Sequence, residues 1–319
     1  MNDPSSQPID LEEQRTWLID HRTSTGFSWS ELAKRTGIPQ GTISQFGGER
    51  GYRGDEMKLA EQVFRYRQGL VAQAQVAVDA PEIPGYFETE TSKQLTHLLH
   101  YGRRGRLVAA ATGAGLGKTE TAKNFRACFP NVFLATMKPS TAGVQTMQHA
   151  VLKALGEKHQ KGSPQQLSER ILELVENMHD PLLIVDEAQH LSQKAIEEIR
   201  SWNDEKQLGI ALFGNISVMQ RIEGGGRDDA FAQIYSRLSL RIVRPLPLHA
   251  DATALGEAWG VHDEATLAFL VKIAMVPGGL RGATFALELA AMLASSERQP
   301  LGLDHLQSAW VQISSRGDR

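Results

Sequence analysis

Apolar and polar positions alternate with two different periods along this chain. Between residues 106 and 243, short apolar runs recur at 106–112, 132–137, 182–186, 209–214 and 240–243. Such runs, separated by helix-patterned stretches, are the signature of parallel strands buried on both faces. The intervening stretches 141–157 and 164–179 carry Val, Leu and Ile at helical spacing. Beyond Pro247 the pattern is only helical, over 250–259, 263–275, 279–294 and 303–314. Residues 11 to about 68 are helical and compact as well, and Pro81 and Pro84 exclude a helix just after them. The pattern predicts an α/β protein with a five-stranded parallel sheet between helices. The expected division is an all-α domain over 1–70, a linker over 71–85, an α/β core over 86–247 and a small helical domain over 248–319.

Composition changes this picture little. Apolar residues make up 41% of the 319 and charged residues 22%, ordinary for a soluble globular chain. The one cysteine, Cys128, rules out an intramolecular disulfide and fits a reducing cytoplasm. No His or Cys spacing suits a structural zinc. No apolar run is long enough for a membrane span, so no membrane partner is expected. The net charge of −3 confines any contact with nucleic acid to local patches.

Candidate chemistry concentrates at two strand ends. The first is ATGAGLGKTE, 111–120, where a strand runs through a glycine-rich loop into a helix. Gly113, Gly115 and Gly117 let backbone N–H groups turn inward around a phosphate, and the helix N-terminus adds its dipole. The expected ATP-binding set is Thr112, Gly113, Ala114, Gly115, Leu116, Gly117, Lys118, Thr119 and Glu120. Lys118 suits the β- and γ-phosphates, and the Thr119 hydroxyl suits Mg²⁺. The usual P-loop spacing puts its first glycine at 112, where this chain has threonine. The second strand end is LLIVDEAQHL, 182–191. Asp186 at the end of a buried strand suits Mg²⁺, and Glu187 suits a general base for water.

With these motifs the chain resembles the AAA+ P-loop NTPases. It more closely resembles the Mu B transposition protein family, the ATP-dependent target-DNA activators of DDE transposases, whose second motif DEAQHL matches. The resemblance covers nearly the whole chain: an N-terminal helix-turn-helix domain, an AAA+ core and a helical lid. It implies three further catalytic residues. Asn215 in LFGN matches the polar sensor of the attacking water. Arg237 in YSRLSLRI matches the arginine finger given in trans to a neighbouring subunit. Arg281 in PGGLRGA matches the sensor arginine of the lid. Guanidinium suits these roles through forked, charge-assisted bonds to phosphate. The resemblance also implies a homo-oligomer, a helical filament on double-stranded DNA in the cytoplasm of a bacterial host, with a DDE transposase as partner. A helicase loader or replication-type AAA+ ATPase is the alternative function.

The N-terminal module supplies candidate DNA contacts. Ser28 and Glu31 have capping-box spacing, Gly37 makes a turn, and Leu32, Ala33, Ile38 and Ile43 face inward. Residues 41–46 form the second helix, whose neighbourhood offers Gln40, Thr42, Ser44 and Gln45 to base edges. Arg50 and Arg53 follow within a basic stretch, residues 34–67, of local balance +3. The same helices also suit a protein-docking module. In the core, the loop 136–143 offers Lys138, Ser140 and Thr141 to the DNA backbone, as in initiator-type relatives of the family. The loop 224–231, with Arg227, suits a subunit interface, a DNA contact or plain solvent equally.

Overall fold

The computed structural model describes residues 9–48, 51–78, 83–158, 161–224 and 236–314. The chain forms two compact units, Met1–Ala80 and Pro81–Arg319. The described residues of the first unit form α1 (Leu11–Thr25), α2 (Trp29–Thr36), α3 (Gln40–Phe46) and α4 (Glu56–Val78). Ser28 and Glu31 form a reciprocal capping box at the start of α2, an arrangement worth about 1 kcal/mol. Gly37, at φ 73°, ends that helix in the left-handed region. Leu18, Leu32, Ile38, Ile43, Phe46 and Val63 make the core. Helix α4 continues into the expected linker. Residues 70–78 (LVAQAQVAV) are compatible with a helix, so the helix runs past the change in composition toward Pro81.

The second unit starts with α5 (Glu90–Gly102), β1 (Leu107–Thr112), α6 (Lys118–Cys128), β2 (Val132–Thr136), α7 (Val144–Ala154) and α8 (Pro164–Glu176). It continues with β3 (Leu182–Asp186), α9 (Gln193–Lys206), β4 (Gly209–Gly214), α10 (Ile216–Gly224) and β5 (Leu238–Arg244). The lid follows as α11 (His249–Ala258), α12 (Glu264–Ala274), α13 (Gly279–Glu297) and α14 (Leu303–Ser314). The five strands are parallel, in the order β2-β3-β4-β1-β5. Every residue of β1, β3 and β4 is buried. Successive residues of β1 serve opposite faces: Leu107, Ala109 and Ala111 join one core, Val108 and Ala110 the other. Helices α7, α8 and α9 cover the first face, and α5 and α6 the second.

This strand order positions the site. After β1 the chain crosses to the far edge of the sheet and returns through β3 and β4. The C-terminal ends of β1, β4 and β3 therefore lie side by side, where open α/β sheets hold ligands. The lid is fastened to α5 by Asp251, which is fully buried. Its carboxylate accepts from Thr91 N at 2.8 Å, Thr91 Oγ1 at 2.5 Å and Leu248 N at 2.8 Å. Among the described residues no helix is long and apolar enough to cross a membrane.

Candidate nucleotide site

A cleft of about 660 Å³ opens over these strand ends, within the usual range for a small-molecule site. Its floor is residues 114–119, the loop after β1 together with the first two residues of α6. Gly115 and Gly117 take φ of 73° and 79°, which ordinary residues resist. Gly115 has a second constraint: a Cβ there would lie 2.3 Å from Gly278 O and 2.9 Å from Arg281 N. The loop thus touches the first turn of α13, and the two backbones interlock.

Thr112, in place of the usual glycine, has a physical explanation. It is the last residue of β1, paired with Arg244 of β5, and needs no special φ. Its hydroxyl accepts from Lys118 Nζ at 2.8 Å, alongside the carbonyls of Thr112 and Gly113 at 3.1 and 3.2 Å. Close approach instead falls on Gly113, where a Cβ would lie 2.1 Å from Pro245 O. Thr112 and Gly113, expected as nucleotide contacts, therefore support the loop from beneath and do not line the cleft. Glu120 does line it, but its carboxylate pairs with Lys123 at 2.7 Å.

The acidic side comes from β3. Asp186 is buried, and its Oδ2 accepts from Thr119 Oγ1 at 2.7 Å. Two adjacent ligands of an octahedral Mg²⁺ at 2.0–2.1 Å stand about 2.9 Å apart, so this oxygen pair fits the ion. No cluster of three or more His, Cys, Asp or Glu that could hold a metal occurs among the described residues. Burial pushes the Asp186 carboxyl above its ordinary range, against bonds from Thr119 and the Glu187 N–H that lower it. Burial likewise pulls the Lys118 ammonium below its ordinary value, opposed by Asp186 and Glu187. Both charges are thus poised to gain from an opposite charge brought into the cleft.

Glu187 follows in the left-handed region, at φ 57°. Its carboxylate accepts from Gln189 Nε2, and Gln189 Oε1 accepts from Asn215 N at 3.2 Å. Asn215, at the tip of β4, also caps α10: its Oδ1 accepts from Ser217 N at 3.0 Å and Ser217 Oγ at 2.5 Å. Glu187, Gln189 and Asn215 all line the cleft, as does Arg281 from the lid. Gln189 is the fourth residue of the DEAQHL motif, and the motif by itself assigns it no role.

Sequence reading also missed the apolar end of the cleft. Tyr86 and Phe87 before α5 face Leu255, Leu280 and Phe285 of the lid. These residues lie far apart in sequence and belong to no motif. Arg237 sits elsewhere. It precedes β5, beside the opposite end of β1 from the P-loop, about 20 Å away at strand rise. It is exposed and pairs with Asp204 at 2.5 Å. Arg244, by contrast, is partly buried and donates to Gln94 at 2.7 Å.

The candidate DNA residues fall in two places. In the first unit Gln40, Gln45 and Arg53 are exposed, Thr42 and Ser44 partly so, and Ser44 Oγ donates to Gly41 O at 3.1 Å. Arg50, Arg227 and most of the loop 224–231 lie outside the described residues. In the second unit Lys138, Ser140 and Thr141 line a separate cavity of about 650 Å³ beside edge strand β2. The Thr141 hydroxyl closes the local turn, accepting from Lys138 N at 2.8 Å. Arg126, Lys153 and Lys158, which sequence reading did not single out, line the same cavity.

The sheet order, the P-loop and the carboxylates at the tip of β3 define an AAA-type P-loop ATPase. Comparison with known proteins agrees: the AAA domain model matches residues 103–222, and the model "Mu B transposition protein, C terminal" matches 236–313. The "ATP-dependent target DNA activator B" of Escherichia phage Mu is 30% identical over 297 residues, 93% of this chain and 92% of that protein. The "Mu-like prophage FluMu DNA transposition protein B" of Haemophilus influenzae is 30% identical over 270 residues, 83% and 91% of the two chains. Domain III of the Thermotoga maritima replication initiation protein DnaA aligns with a TM-score of 0.47 at 14% identity, over 72% of this chain and 94% of that one. The chain belongs to the Mu B transposition protein family. It hydrolyses ATP to ADP and phosphate.

Proposed function

We propose that this ATPase is a nucleotide-switched scaffold, which assembles on target DNA with ATP bound and brings a transposase to it. The observation that carries the reading is the joining of the P-loop to β3 through the Thr119–Asp186 bond, in a chain whose phage relative is named an ATP-dependent target DNA activator. The base of ATP lies among Tyr86, Phe87, Leu255, Leu280 and Phe285. Its phosphates lie along the backbone N–H groups of 114–119, within reach of Lys118. Thr119 and Asp186 would hold Mg²⁺, which would supply charge neutralisation for the phosphates. Glu187 takes the proton of the attacking water, and Asn215 orients that water through its amide. Arg281 reaches the phosphates from the lid.

Arg237 lies too far from its own P-loop to serve it, and this favours a role in a neighbour's site. A missing arginine of this kind costs about 10³–10⁵ in rate in GTPases, so hydrolysis depends on assembly. Assembly on DNA draws on two surfaces. The cavity beside β2 offers Lys138, Arg126, Lys153 and Lys158 to backbone phosphates, with Ser140 beside them. Helix α3 offers Gln40, Thr42, Ser44 and Gln45, with Arg53 beyond it. Phosphate contacts fix position without reading sequence, which suits loose target choice. Subunits added head to tail give a helical filament, and hydrolysis releases it in the host cytoplasm once a DDE transposase has engaged.

The test is a pair of variants. Glu187→Gln keeps phosphate binding and loses water activation, so it forms long-lived ATP-dependent complexes with duplex DNA; rapid turnover by that protein would remove Glu187 from the role of base. Lys118→Ala loses nucleotide-dependent DNA binding, and unchanged binding would mean that ATP is not the switch.

A further inference from the structure

The amide of Gln189 joins two parts of the cleft that belong to different strands. Its Nε2 donates to the carboxylate of Glu187 at the end of β3. Its Oε1 accepts from the backbone N–H of Asn215 at the end of β4, at 3.2 Å. Gly214 leaves room for this bridge, since a Cβ there would lie 2.8 Å from Gln189 Oε1. The bridge starts from a firm base. Gln189 stands in a single 3₁₀ turn, Ala188–His190, closed by His190 N donating to Glu187 O at 3.0 Å. The flanking Ala188 and Leu191 are buried.

Chemistry at position 189 is therefore restricted. Only a side chain with a donor at one terminal atom and an acceptor at the other makes both bonds, and its length must span two strand ends. A carboxylate would meet the Glu187 carboxylate with like charge. A methionine would fill the same space and make neither bond. Glu187, for its part, sits on a left-handed backbone at the rim of an open cleft, and a carboxylate there has several rotamers available.

We propose that Gln189 is a positioning residue for hydrolysis: it fixes the Glu187 carboxylate to the tip of β4, so that base and sensor keep one geometry around the attacked phosphate. It acts through Glu187, whose carboxylate its amide holds. The proposal rests on Glu187 being the base. A misplaced catalytic group costs rate while leaving ground-state binding intact.

The experiment is a double-mutant cycle on the full-length chain with linear duplex DNA present. Single-turnover hydrolysis of labelled ATP and nucleotide affinity are measured for the wild type, Glu187→Gln, Gln189→Met and the double variant. Gln189→Met is expected to lose about 10- to 100-fold in hydrolysis rate, with nucleotide affinity within about threefold of wild type. In the Glu187→Gln background the same substitution is expected to do nothing further, because its effect passes through the missing carboxylate. Gln189→Glu, which keeps size and shape, is expected to lose at least as much as Gln189→Met. A wild-type rate in Gln189→Met beside an inactive Glu187→Gln overturns this proposal alone, as does a further loss in the double variant or a loss confined to affinity. A Glu187→Gln protein that hydrolyses normally overturns the base assignment, and this proposal with it.

Discussion

Arg237 is the residue whose role depends most on its place in the fold. It stands at the start of β5 while the P-loop starts at the other end of β1, so one molecule cannot bring the two together. If Arg237 completes a neighbour's site, two inactive proteins repair each other. Glu187→Gln keeps its arginine and Arg237→Ala keeps its base. Mixed in equal amounts on DNA, they are expected to recover up to about a quarter of wild-type ATPase activity, since one in four head-to-tail interfaces then pairs an intact base with an intact arginine. A steady-state ATPase assay on the mixture reads this, and activity no higher than the sum of the two variants alone would assign Arg237 to its bond with Asp204. The motif residues were legible from sequence because Asp186 and Glu187 end and follow an apolar strand, and Lys118 and Thr119 close the glycine-rich loop behind another. The bond of Gln189 to Asn215 and the places of Tyr86 and Phe87 in the cleft were not legible, because those partners come from another strand and from the lid.

At the level of elements, legibility followed burial. Strands β1, β3 and β4, buried at every position, stand out as unbroken apolar runs, and the pattern places them to within a residue. Edge strand β5 is longer than its apolar stretch 240–243, because Ser239, Arg241 and Arg244 belong to it and interrupt the pattern. An edge strand loses one covered flank, and with it the need for continuous hydrophobicity. The lid meets α5 through a polar contact that no periodicity reveals, Asp251 on Thr91. Asp251→Ala removes the carboxylate and strands the donors it satisfies, at a cost of about 3 kcal/mol or more. Because the lid carries Arg281, Leu280 and Phe285 into the cleft, the same change is expected to raise the KM for ATP. Thermal unfolding and steady-state kinetics check both, and unaltered stability would show that the lid is held by its apolar contacts alone.

For the whole molecule, the two units have separate cores, of Leu18, Leu32, Ile43 and Phe46 in one and the strand and lid clusters in the other. Separate cores imply independent folding. A chain beginning at Pro81 is expected to stay folded and to bind nucleotide, because the cleft draws only on residues from Pro84 onward. Circular dichroism and nucleotide titration would show it, and an insoluble product would place part of the core in the first unit. In the proposed function, ATP controls assembly on DNA. Electron microscopy of the full-length chain on linear duplex DNA, with and without a slowly hydrolysed ATP analogue, tests it most directly. Continuous helical filaments that require the analogue are the predicted result; discrete rings, or the same DNA complexes without nucleotide, would contradict it.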